Sequence, residues 1–293
     1  MGRKAKEILE SVLFTIPALI LVAITIYIPF VMSGYYSLTK WNGISKAPVF
    51  IGFENFKTLF KGSSEFTRAL IFTGKYTVVF MIFSNVLALA VAVALVQRIR
   101  GAKVMRGMFF IPYIMSMTIV GFIWQFIFSQ GFAVLYSINT SLKFLSWSWL
   151  GDPNLAFVSV CFVGVWQSLG FYIVLYIAGL QAIPKDVLEA ATVDGVTSWK
   201  RFFLITLPLL GPSITTCVFM SLTNAVKVFD IILALTKGGP GGTTYSATLD
   251  IYREAFQNNN YGLGSAKALI FFVVILVLTQ AVLKIMNSRQ VDL

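Results

Sequence analysis

Polar side chains inside long apolar runs are the first candidates for chemistry in this sequence. Asn85 lies in one run, Gln167, Phe171 and Tyr172 in a second, and Ser221, Asn224 and Lys227 at the end of a third. These side chains offer amides and hydroxyls for hydrogen bonds, a cation, and rings for stacking. Covalent chemistry is not expected. The chain has no histidine, which removes the commonest general base and metal ligand. Its two cysteines, Cys161 and Cys217, sit within apolar runs and read as small buried hydrophobes, so no catalytic or metal site is assigned. Two roles remain open for the polar set. Ionisable and polar groups are costly inside a membrane and often mark a solute path. Asn85 and Gln167 serve equally well as glue between helices. Trp166 suits packing or an interfacial anchor, and Lys227 and Asp230 are spaced to pair on one helix face.

A second group lies in the connector 184–203. Pro184 suits the first position of a helix. Asp186 and Glu189 follow where acids complement the helix dipole. Gly195 interrupts the pattern after Asp194, and Thr197 or Ser198 can cap a second helix starting at Trp199. Two short helices with a hinge would expose Val187, Leu188, Val193, Val196 and Trp199. Such a surface needs a partner, either a protein or lipid headgroups.

The elements that carry these residues are membrane spans. The 293 residues are 57% hydrophobic and 12% charged, well below the roughly 25% charge of a soluble domain. Six charge-free runs approach the length a bilayer demands: 12–38, 76–96, 107–129, 155–183, 202–226 and 268–283, the last reaching it as 266–285 if Lys267 and Lys284 snorkel at its edges. The first run is too long for a signal-peptide core and reads as an uncleaved anchor. The net charge of +11 is scattered between the runs and does not form a nucleic-acid surface. The turn 97–106 packs Arg98, Arg100, Lys103 and Arg106 without an acid, whereas Lys143 stands alone in the loop 130–154. With both termini inside, basic residues divide 12 inside to 11 outside, so it is the short loops that argue for both termini in the cytoplasm. Pro17, Pro29, Pro112, Pro208 and Pro212 sit inside runs and suit kinks. The connector 227–267 is the longest, and Gly238-Gly239-Pro240-Gly241-Gly242 makes it rich in turn formers. No Gly-Lys-Ser/Thr follows those glycines, so they make no phosphate-binding loop.

The loop's spelling narrows the function. Glu189-Ala190-Ala191, then Gly195, Ile205 and Leu207-Pro208, resembles the EAA signature of ABC importer permeases at every fixed position. The segments Phe50–Phe56, Phe229-Asp230 and Leu235–Pro240, with Tyr252, Phe256, Tyr261-Gly262 and Ser265-Ala266, extend the resemblance to the carbohydrate-uptake branch, maltose type, without its large extracytoplasmic insertion or extra N-terminal helices. The resemblance implies an all-α integral membrane protein of six transmembrane helices, with the type I importer fold, in a bacterial plasma membrane. It implies that Glu189, Ala190, Ala191, Asp194 and Gly195 couple to a separate ATPase. It implies sugar contacts near Phe171, Tyr172, Ser221 and Asn224, although Ala225 and Val228 stand where amides would suit a maltose-like ligand. Expected partners are a second homologous permease, two ATP-binding subunits, an extracytoplasmic solute-binding protein and a sugar. No cofactor is expected in this chain; ATP and Mg belong to the partner ATPases. A polyol or glycerol phosphate remains an alternative cargo. An ion-gradient-driven transporter fits less well, because the runs hold no titratable group for a coupling ion.

Overall fold

Lipid supplies no hydrogen-bond partners, so an apolar run must close its backbone bonds internally. This chain does so almost entirely as helix. The structure, a computed structural model, describes residues 3–61, 65–97 and 101–287, with side chains from residue 12 to residue 286 within those ranges. Arg98, Arg100 and Arg289 lie outside the described residues, as do the side chains of Arg3, Lys4 and Lys6.

Two units divide the described chain: residues up to 61 with Ile251–Phe272, and Glu65–Asp250 with the residues from Val273. The first unit holds α1, whose apolar stretch is Val12–Ser37. A short antiparallel pair follows, β1 (Thr39–Lys40) and β2 (Val49–Phe50), and then α2 (Glu54–Phe60). The Asn55 amide stitches this corner by donating to Ser37 O at 2.8 Å and Thr39 O at 2.9 Å. The Lys57 ammonium, 2.8 Å from Glu54, holds that carboxyl below its usual range. Gly262 has no room for a side chain, because a Cβ there would lie 2.0 Å from Thr39 O. The same unit contains a buried ion pair, Lys267 Nζ to Glu254 Oε2 at 2.7 Å. Lys267 therefore does not snorkel. Its helix, α12 (Tyr261–Asn287), starts earlier than expected, and the ammonium is neutralised inside the protein.

The second unit is built around α3 (Glu65–Val96) and α6 (Pro153–Ala182), its most extensive helix pair. Apolar helices gain nothing from leaving lipid for one another, so they associate through close packing of small residues. On α3 the buried face includes Ala69, Thr73, Thr77, Ser84, Ala88 and Ala92, at helical spacing. On α6, Gly164 receives the Tyr76 hydroxyl, which lies 2.4 Å from where a Cβ would be. Gly170 sits so close to the Phe109 carbonyl of α4 (Ala102–Ile114) that a Cβ would approach it to 2.1 Å.

The apolar run 107–129 is not one helix. It breaks after Ile114: Met115 is extended (ψ 145°), and a new helix, α5, runs Met117–Ile138. The run 202–226 is also divided. The helices α8 (Ser198–Leu209) and α9 (Gly211–Val226) meet at a bend of 68°. Leu210 and Gly211 stand at the corner, with Pro208 and Pro212 on either side, where missing amides weaken the helical ladder. Five described helices are long and apolar enough to cross a membrane, and there are six if the bent pair α8–α9 counts as one span.

The connector after residue 227 also departs from expectation. The glycine run does turn, with Gly238, Gly241 and Gly242 at positive φ, but helices flank it. α10 (Asp230–Leu235) packs on α5, with Ala234 against Gly121, and Ile231, Ile232, Ala234 and Leu235 are all buried. α11 (Ala247–Tyr252) follows, its Ala247 amide held by Thr73 Oγ1 at 2.9 Å.

Candidate functional site

The EAA loop folds as two short helices joined at a left-handed residue. α7 runs Lys185–Val193 with Pro184 at its cap position, one residue before the place expected for it. Gly195 has φ +70°, a conformation open to glycine and costly for other residues. Its amide donates to Thr192 O, and the Val196 amide donates to Ala191 O, both at 3.1 Å. These two bonds form a Schellman closure, which satisfies the last carbonyls of α7. The closure also explains the motif's spacing. Ala191 begins the final turn, Gly195 follows Asp194 as the left-handed residue, and Ala191 is nearly fully buried. Arg201 Nη1 then donates to Thr192 Oγ1 at 3.0 Å, tying the start of α8 to α7.

The closure fixes an exposed surface. Glu189, Ala190 and Asp194 are exposed, as are Val193 (86%) and Trp199 (74%), while Val187 is 38% exposed. Leu188 and Val196 are half-buried. Trp199 rests on Phe203 at a ring separation of 4.8 Å. Thr197 precedes the second helix but makes no side-chain cap. The loop thus offers an exposed apolar surface with carboxylates beside it, carried on the segment that leads into the bent α8–α9 pair.

Within the spans, the polar residues join in pairs and triads. Tyr176 Oη donates to Asn85 Oδ1 at 2.7 Å, and Asn85 Nδ2 donates to Ser221 Oγ at 2.9 Å, linking α3, α6 and α9. One turn away, Asn224 Nδ2 donates to Tyr172 Oη at 3.3 Å. Tyr172 is fully buried, so its ring offers no stacking face; Asn224 is exposed. Phe171 is half-buried and stacks on Tyr113 at 4.9 Å.

Gln167 has a local task. Its Nε2 donates to Tyr113 O and Met115 O, each at 3.3 Å. Those carbonyls lie at the break between α4 and α5, where the helical ladder fails to use them. Lys227 is exposed at the end of α9, whereas Asp230 begins α10, so no single helix face holds both. Sequence reasoning missed Tyr176. Its spacing of four from Tyr172 puts both on one face of α6 and was the available signal.

Residues 84–291 match the family described as binding-protein-dependent transport system inner membrane component. The chain is 38% identical, over the full length of both proteins, to a probable starch degradation products transport system permease protein of Thermoanaerobacterium thermosulfurigenes. It is 36% identical, over 95% of each, to the multiple sugar-binding transport system permease protein of Streptococcus mutans. Among solved structures it shares its fold with a chain of a bacterial ABC transporter involved in the import of the acidic polysaccharide alginate. The TM-score is 0.83 at 24% identity, covering 98% of this chain and 99% of the other.

Proposed function

This chain belongs to the family of binding-protein-dependent transport system inner membrane components, and from that premise we propose how it works as the permease of an ATP-driven carbohydrate importer. The two relatives named above are permeases of transport systems for starch degradation products and for multiple sugars, which supports a sugar as cargo. The observation that carries the coupling reading is the Schellman-closed loop. It holds Val193 and Trp199 in the open beside Glu189, on a segment continuous with a span. A separate ATP-binding subunit covers that surface. When two such subunits close on ATP and Mg, they pull on α7 and α8, and the 68° corner at Leu210–Gly211 passes the motion to α9.

Asn224 lines the solute path on α9, with Tyr172 fixing its amide. A second, homologous permease forms the other wall, and an extracytoplasmic binding protein delivers the sugar. Both termini and the loop face the cytoplasm of a bacterial cell. The decisive test is Glu189→Lys in the assembled importer. Charge reversal on the exposed face of α7 is expected to abolish uptake or release the ATPase while this chain still reaches the membrane. Full ATP-driven uptake by that variant would remove the loop's assigned role.

A further inference from the structure

Asn85, Tyr176 and Ser221 are bonded to one another, Tyr176 and Ser221 deep in the protein and Asn85 half-buried. Ser221 and Tyr176 are 0% and 1% exposed. Tyr176 gives its proton to Asn85. Asn85 gives its two to Ser221 and, at 2.7 Å, to Met81 O. Ser221 gives its own to Val218 O at 3.0 Å. No proton of the triad is left over. Its members come from three helices that share no local sequence, so the triad fixes their mutual rotation and height.

Helical spacing links this triad to the Tyr172–Asn224 pair. Tyr172 and Tyr176 are four apart on α6, and Ser221 and Asn224 are three apart on α9; each couple shares a face. The two sets form successive rungs between the same two helices, the triad lying nearer the coupling loop. The Tyr172–Asn224 bond is longer than those of the triad. A small rotation of α9 would break it, and the triad resists that rotation. We propose that Asn85, Tyr176 and Ser221 are positioning residues that clamp α3, α6 and α9, holding the Asn224 amide at the orientation in which it meets the sugar. This rests on the assignment of Asn224 to the solute path.

The test uses the full importer, this chain with its partner subunits and binding protein, reconstituted in proteoliposomes. Two quantities are read: sugar accumulated per ATP hydrolysed, and the yield of assembled complex. Tyr176→Phe removes one hydroxyl and should lower the ratio about threefold, the shift that one interhelical hydrogen bond in a membrane sustains, with the yield preserved. Asn85→Leu with Tyr176→Phe removes donor and acceptor together, which is often neutral for stability. It should assemble fully and still show the low ratio. Asn224→Ala should lower the ratio by itself, and Tyr176→Phe should add nothing in that background. The clamp is overturned if Tyr176→Phe keeps the normal ratio, lowers only the yield, or multiplies its loss onto that of Asn224→Ala. If instead Asn224→Ala alone leaves the ratio unchanged, the solute-path assignment fails, and the clamp loses its object.

Discussion

The Val196 amide donates to the carbonyl of Ala191, five residues back at 3.1 Å, and this bond wraps the chain around Gly195. No neighbour in this chain lies within 4 Å of a Cβ placed on Gly195, so within the chain substitutions there act through backbone conformation. A left-handed residue other than glycine costs about 1–2 kcal/mol, with asparagine the mildest and β-branched residues the worst. Uptake should therefore fall in the order Gly, Asn, Ala, Val. Transport assays on the three variants at matched membrane levels check this. Equal transport by Gly195→Val would mean that the closure is dispensable.

Gln167 predicts a stability effect. Gln167→Leu preserves volume but strips the Tyr113 and Met115 carbonyls of their donor at the α4–α5 break. The loss should be about 1–2 kcal/mol, seen as a lower midpoint in thermal inactivation of the purified complex. An unchanged midpoint would show that the break is held by packing alone.

The Lys267–Glu254 pair offers a third test. Its side chains are only 6% and 16% exposed. Removing one partner strands a buried charge at a cost of about 3–5 kcal/mol, whereas replacing both with apolar residues of like volume is often near neutral. Lys267→Met should sharply reduce assembled protein, and Lys267→Met with Glu254→Leu should recover much of it. Yield by size-exclusion chromatography distinguishes the two.

Orientation is tested by labelling single cysteines in intact cells. Ser45→Cys and Thr140→Cys, both at exposed positions, should react with an impermeant reagent from outside. Thr197→Cys, in the coupling loop, should react only after permeabilisation; external labelling of it would invert the topology.

The two-helix fold of the loop 184–203 was legible in the sequence because Pro184 and Gly195 mark the start and the stop of its first helix. An alanine four residues before a glycine is the spacing of a Schellman closure, and the structure closes there. Most spans were legible as charge-free apolar runs. The break within 107–129 was signalled only by Pro112, three residues before it, because the donor that satisfies its carbonyls, Gln167, comes from another helix. Charge-free searching also ended the second run at residue 76, although α3 continues back to Glu65 through Lys75 and Arg68. The glycines after residue 237 drew attention to turns and away from Ile231–Leu235, an apolar run that the structure buries. Lys267 was assigned to a helix edge because its partner, Glu254, is distant in sequence and close only in the fold.

ATP-dependent uptake tests the central claim most directly. The full importer is reconstituted in proteoliposomes, with ATP on the coupling-loop side, and radiolabelled sugar is supplied with the binding protein on the other. The account predicts accumulation that requires ATP and the binding protein, that ignores imposed proton or sodium gradients, and that Glu189→Lys abolishes. Accumulation driven by an ion gradient without ATP would contradict it.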